Sequence, residues 1–83
     1  MVKNNIIALR DKAGMTAYQL AKQCGFISNN HVLGKKISDA EKGKNITIET
    51  AFLIYCELKK AGVCEKFEDV FWLEDSPESK KAP

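Results

Sequence analysis

Eighty-three residues, 45% apolar and 29% charged with a net charge of +2, describe a chain with length for one core and no second. So high a hydrophobic content at so low a net charge excludes an intrinsically disordered chain. No run reaches the ~18 to 20 consecutive apolar residues of a membrane helix, and Met1-Val2-Lys3-Asn4-Asn5 opens no signal-peptide apolar block, so a soluble cytoplasmic protein with no membrane partner is expected.

In chain order, Asn5 is placed to cap a first helix from Ile6 to about Ala13, with Ile6, Leu9 and Ala13 on one stripe and Gly14 as the stop. Thr16 followed three residues later by Gln19 forms a capping box, and predicts a second helix from about Ala17 to Cys24. Its inward residues are Leu20, Ala21 and Cys24, and Gly25 closes it. A third helix carries Ile37-Ser38-Asp39-Ala40-Glu41-Lys42 and ends at Gly43. Thr47 caps a longer fourth helix from Ile48 to Ala61, stopped by Gly62, with Ile48, Ala51, Phe52, Ile54, Tyr55 and Leu58 expected inward and Leu53 on the polar strip. A short last helix, Glu65 to about Phe71, is anchored by Phe67, Val70 and Phe71. No strand is expected, since the alternation at Ile46-Thr47-Ile48 is too brief before a helix cap. Residues 1–74 then form one all-α domain of five helices, and 75–83, rich in Ser, Pro, Glu and Lys, a disordered tail.

Cys24, Cys56 and Cys64 are odd in number and contain no C-x-x-C pair, which supports neither a disulfide framework nor a zinc ribbon. His31 is the lone histidine and assembles no metal site by itself. With no glycine-rich phosphate loop, no nucleophile–base arrangement and no paired carboxylates, neither an enzyme nor a metal or other cofactor is expected.

Charge is unevenly divided. Residues 1–44 hold eight Lys/Arg against three acids, a balance of +5, whereas 61–83 hold three Lys against six acids, a balance of −3. A basic front half offers a face to polyanions.

A helix-turn-helix unit needs a small residue where its helices approach, a Gly for a left-handed turn, and apolar residues docking the second helix on the first. Ala21, Gly25, and the pair Ile37 and Ala40 meet those needs. The ordered pieces LAKQCG, ISDAEKGK, ITIETA and FEDVF, spread over roughly residues 4–72, resemble the lambda-repressor-like, xenobiotic-response-element family of helix-turn-helix DNA-binding domains. The resemblance implies a five-helix bundle, a third helix that reads duplex DNA, and a twofold dimer. Two features depart from the family pattern. Ala17 stands where a phosphate-clamping Gln is usual, so that role is missing or falls to Gln19 or Tyr18, and Gly25 and Glu41 lie sixteen positions apart, several more than the family pattern has.

Two arrangements accommodate the added residues, which lie within Phe26 to Lys36. In one, Ser28 to Leu33 widen the turn and a short third helix starts near Gly34 or Lys35. In the other, Ser28 caps a helix running to Lys42, with Ile27 stapled on Val32; Gly34 would then cost about 1 kcal/mol in mid-helix. In both, Lys35, Lys36, Ser38 and Asp39 face outward and are the expected base-contacting residues: Lys donates to guanine, Asp accepts from cytosine, and Ser serves either edge. Asn29 and Asn30 are further base-contacting candidates, pairing with adenine, if the longer helix holds. Gln19, Lys42, Lys44, Asn45 and Thr47 are expected on phosphates, and Glu41 has a structural role, holding a backbone amide or a Lys.

Phe71, Trp72 and Leu73 run on without polar interruption and are either a homodimer contact or closure of the core. The reading is a prokaryotic or phage-type transcriptional repressor binding double-stranded DNA as a homodimer. Alternatives are the antitoxin of a toxin–antitoxin pair, with a toxin as protein partner, and a helical protein-interaction module without DNA binding.

Overall fold

A computed structural model describes residues 2–44 and 46–73; the expected tail, 75–83, lies outside the described residues. The chain runs β1 (Val2–Asn4), α1 (Ile6–Lys12), α2 (Ala17–Cys24), β2 (Ile27–Ser28), β3 (His31–Val32), α3 (Gly34–Glu41), α4 (Ile48–Lys60), a single 3-10 turn at Phe67–Asp69, and β4 (Phe71–Leu73). The five-helix, all-α expectation is therefore corrected. Among the described residues the fold is mixed α/β, with four α-helices and two small antiparallel sheets.

Helix ends follow from local chemistry. Thr16 Oγ1 accepts from the Gln19 N–H at 3.1 Å while Gln19 Oε1 accepts from the Thr16 N–H at 2.9 Å, so two otherwise unpaired donors are satisfied where α2 begins. Gly25, at φ +81°, ends α2 in the left-handed region, and the Phe26 N–H turns back to the Ala21 carbonyl at 3.0 Å. Thr47 Oγ1 accepts from the Thr50 N–H at 3.2 Å and opens α4. The start of α1 differs from expectation. Asn5 makes no side-chain cap; Asn4 does the work instead, its Oδ1 accepting from the Ile6 N–H at 3.1 Å.

The two sheets arise from separate causes. β1 pairs with β4 in the register Val2↔Leu73, Lys3↔Trp72 and Asn4↔Phe71, joining opposite ends of the described chain. The expected last helix fails because the Asp69 carboxylate accepts from both the Glu65 and Lys66 N–H groups, at 3.1 and 3.0 Å. That fixes one tight turn, after which Val70 and Phe71 enter the core and the aromatic run continues as a strand. The second sheet pairs Ile27↔Val32 and Ser28↔His31, and its two connecting residues, Asn29 and Asn30, both have positive φ, +50° and +66°. Two left-handed residues close a tight hairpin whose twist matches that of its strands, and Asn adopts that conformation more readily than most side chains. The added segment is thus a β-hairpin, and α3 starts at Gly34; a continuous helix from Ser28 is excluded.

The core joins Ile6 of α1, Leu20 and Ala21 of α2, Ile37 and Ala40 of α3, Ile54 and Leu58 of α4, and Val70, all fully buried. Along α4 the buried stripe is Thr50, Ala51, Ile54 and Leu58. Ile48 and Phe52, expected inward, are 71% and 49% exposed: Ile48 lines a shallow groove with Val2, Phe67 and Phe71, and Phe52 lies against the Phe67 ring. Phe52, Tyr55, Phe67 and Phe71 form a chain of ring contacts there, with centroids 5.1 to 6.4 Å apart.

Candidate nucleic-acid interface

α2 and α3 pack on each other more extensively than any other two elements. The seam is made by Leu20 and Ala21 against Ile37 and Ala40, none of which reaches solvent. The helices also meet closely at their first turns. A Cβ on Gly34 would stand 3.6 Å from the Tyr18 Cα, ordinary contact distance, so α3 begins against the backbone of α2. With Ile37 and Ala40 inward, the 3.6-residue period puts Lys35, Ser38, Asp39 and Lys42 on one outward stripe at i, i+3, i+4 and i+7. Lys35 and Lys42 are exposed; Ser38 and Asp39 are half-buried along the flanks.

Glu41 lies on the inner edge of α3 and pairs with an unforeseen partner. Its Oε2 accepts from Arg10 Nε of α1 at 2.6 Å, both side chains being largely buried, and Arg10 Nη1 also donates to the Met15 carbonyl at 3.3 Å. The expected Lys or amide partner is replaced by this arginine. The pair takes the helix's only inward carboxylate out of reach of the outer stripe and ties α3 to α1 and to the α1–α2 turn. The far end of α3 is tied as well: Asn4 Nδ2 donates to the Ala40 carbonyl at 3.0 Å and to that of Glu41 at 3.4 Å.

The remaining expected residues divide. Lys36 is exposed, but its Nζ sits 4.8 Å from the centroid of the Phe26 ring, which draws it off the outer stripe toward the root of the hairpin. Asn29 and Asn30 are at the hairpin tip and on no helix, so adenine pairing from a helical face does not hold for them. Gln19 has its side-chain carbonyl committed to the capping box, leaving its NH2 to donate, and lines an open depression of about 510 Å³ with Gly14, Met15, Lys22 and Gln23. Lys42 and Lys44 are exposed where the chain leaves α3, their N–H groups bound to the Asp39 carbonyl at 3.1 and 2.7 Å. The Thr47 hydroxyl donates to Thr50 Oγ1 at 3.0 Å, so it caps α4 and is not a free phosphate donor. Asn45 lies outside the described residues.

α3 begins without a side-chain cap, Leu33 occupying that position, and within its first turn the Lys36 N–H turns back to the Leu33 carbonyl at 3.0 Å. Of the supposed dimer contacts, Phe71 is 3% exposed and belongs to the core, while Trp72 at 39% and Leu73 at 71% reach solvent. Cys24 is buried, and burial, aided by Glu57 and Cys56, pushes its thiol up to about 12; burial also raises Cys64. Both stay protonated at neutral pH and are poor nucleophiles. Among the described residues no group of three His, Cys, Asp or Glu is placed to hold a metal ion, and no helix is long and apolar enough to cross a membrane.

At the candidate interface three features escaped the sequence: the Arg10–Glu41 pair, the Asn4 clamp and the hairpin. Only the hairpin had a local signal, an Asn-Asn dipeptide between Ile-Ser and His-Val. Compared with family models, curated proteins and solved structures, the chain matches none.

Proposed function

We propose that this chain is a cytoplasmic, sequence-specific DNA-binding regulator of the helix-turn-helix kind, a repressor that lays α3 in the major groove and acts as a homodimer. The observation that carries the reading is the orientation of α3. Ile37 and Ala40 are sealed against α2, Glu41 is held by Arg10, and Lys35, Ser38, Asp39 and Lys42 are left as the outward stripe. Lys35 and Lys42 would donate to guanine O6 and N7 or to flanking phosphates, Asp39 would accept from cytosine N4, and Ser38 would serve either edge. Gln19, Lys44 and the uncapped start of α3 would hold the strands on either side. One eight-residue helix reads few base pairs, so two copies about 34 Å apart on a palindromic site are expected, joined through Trp72 and Leu73.

The test is a salt titration of binding to a random-sequence duplex and to the duplexes enriched from a random pool. The wild-type chain should bind with an affinity that falls steeply with salt, and Lys35→Ala should lower the slope of log K against log salt by about one per copy. Absence of binding at low salt overturns the reading.

A second reading has its own support. Val2, Ile48, Phe52, Trp72 and Leu73 are exposed apolar residues at the β1–β4 end, and two shallow apolar grooves lie among them, of about 190 and 220 Å³. An antitoxin would use that end for its toxin while α3 still binds DNA, and a protein-interaction module would use it alone.

A further inference from the structure

The hairpin that replaces a simple turn between α2 and α3 is bound to the body of the protein only at its root. Phe26 is buried, the Leu33 N–H donates to the Phe26 carbonyl at 2.8 Å, and Val32 packs on the core. Because side chains alternate along a strand, Val32 and its partner Ile27 share one face, on which Val32 packs against the core while Ile27 is 51% exposed, and Ser28 and His31, paired across the ribbon, share the other. Beyond the root, Ser28, Asn29, Asn30 and His31 are all exposed. Two carboxamides, a hydroxyl and an imidazole therefore crowd a tip with no acidic residue, and Lys36 stands over the Phe26 ring at its foot.

We infer that this tip is a second DNA-contacting element, which grips the sugar–phosphate strand bordering the groove that α3 occupies; the inference rests on the DNA-binding reading above. Reach allows the strand contact. Asn29 is four residues from Leu33, the residue that precedes α3, so the tip extends at most ~13 Å from that point at ~3.3 Å per residue. The major groove is ~12 Å wide, so a projection of that length springing from a helix seated in it is long enough to meet a bordering strand. The chemistry agrees. Carboxamide NH2 groups, a hydroxyl and an imidazole N–H donate well to phosphate oxygens, and the ammonium of Lys36 adds charge at the root. Since the tip's amides are neutral, their contacts fix register and orientation without displacing counterions.

The experiment uses the full chain and the highest-affinity duplex enriched from a random pool. Asn29→Gly/Asn30→Gly removes both carboxamides, and glycine takes φ of +50° and +66° freely, so the turn persists. The double variant is expected to bind about tenfold more weakly with an unchanged salt slope, the cost of about one hydrogen bond per copy. Lys35→Ala, measured beside it, should lower the slope. In the wild-type chain, the backbone amide resonances of residues 28–31 should shift when the duplex is added, a readout independent of how any variant folds. Unshifted resonances at 28–31, or an unchanged affinity in a double variant of normal thermal unfolding, overturn the inference even where Lys35→Ala confirms DNA binding. No binding by the wild-type chain removes the DNA reading and this inference with it.

Discussion

The α2–hairpin–α3 side and the β1–β4–α4 end use their apolar residues in opposite ways. On the first, Leu20, Ala21, Ile37 and Ala40 are consumed in a sealed seam, and what remains outside is mostly polar, with lysine, serine, asparagine, glutamine, His31 and Asp39 beside the two exposed apolar side chains Tyr18 and Ile27. On the second, Val70 and Phe71 close the core, but Val2, Ile48, Phe52, Trp72 and Leu73 are left in water beside shallow grooves. A domain this small has little apolar material to spare, so an end that leaves so much exposed is suited to another apolar surface, and the polar side to a charged, hydrated one. The contrast separates stability from association: substitutions in the seam should unfold the protein, and substitutions at the exposed end should change what it associates with.

The largest expected effect is at the seam. Ile37→Ala should cost about 2 to 5 kcal/mol in urea denaturation, since it opens a cavity under α3, whereas Ile48→Ala should stay within about 0.5 kcal/mol. Equal losses at the two sites would erase the contrast. Next comes Glu41→Ala, which leaves the Arg10 guanidinium largely buried without its carboxylate and should cost about 1 to 3 kcal/mol; Arg10→Met/Glu41→Leu should recover part of that loss. At the apolar end, Leu73→Asp should shift a dimer toward monomer in sedimentation while leaving the unfolding midpoint nearly unchanged. An unshifted distribution would move the dimer contact elsewhere.

The smallest effect is chemical. At pH 8 a thiol reagent should label Cys56, which is exposed, and spare Cys24 and Cys64 until denaturant is added. The folded state holds the Cys24 thiol protonated more tightly than the unfolded chain does, so its contribution to stability is intact below the ordinary value of 9.0 and declines as pH climbs toward about 12. Denaturation midpoints measured from pH 8 to 11 should fall, and Cys24→Ala should flatten that part of the profile.

The helices were legible wherever a cap sat next to a periodic stripe. Thr16 with Gln19, Gly25, and Thr47 mark their boundaries with side chains that act on neighbouring amides, and Ile37 and Ala40 declared the buried face of α3 by spacing alone. What was not legible depends on distant partners or on very short runs. Val2–Asn4 becomes a strand only because Phe71–Leu73 lies beside it. Glu65–Phe71 has helical spacing, but the Asp69 carboxylate binds two amides upstream and closes the turn too early for a helix. Arg10 and Glu41 are 31 positions apart, beyond the reach of any periodicity. Within the candidate interface, the outward stripe of α3 was readable, whereas the removal of Lys36 toward Phe26 and of Asn29 and Asn30 to a hairpin required the fold.

The pairing of β1 with β4 governs how the molecule opens. It joins the segments most distant in sequence by a ladder of three residue pairs, so its formation carries the largest loop-closure entropy in the fold and the fewest interactions to offset it. Hydrogen–deuterium exchange should therefore run fastest, among the bonded amides of the core, through β1, β4 and the Asn5 N–H that donates to the Val70 carbonyl, while α2 and α4 remain protected. Because Asn4 also holds the last carbonyls of α3, each such opening frees the carboxyl end of that helix before any helix has melted.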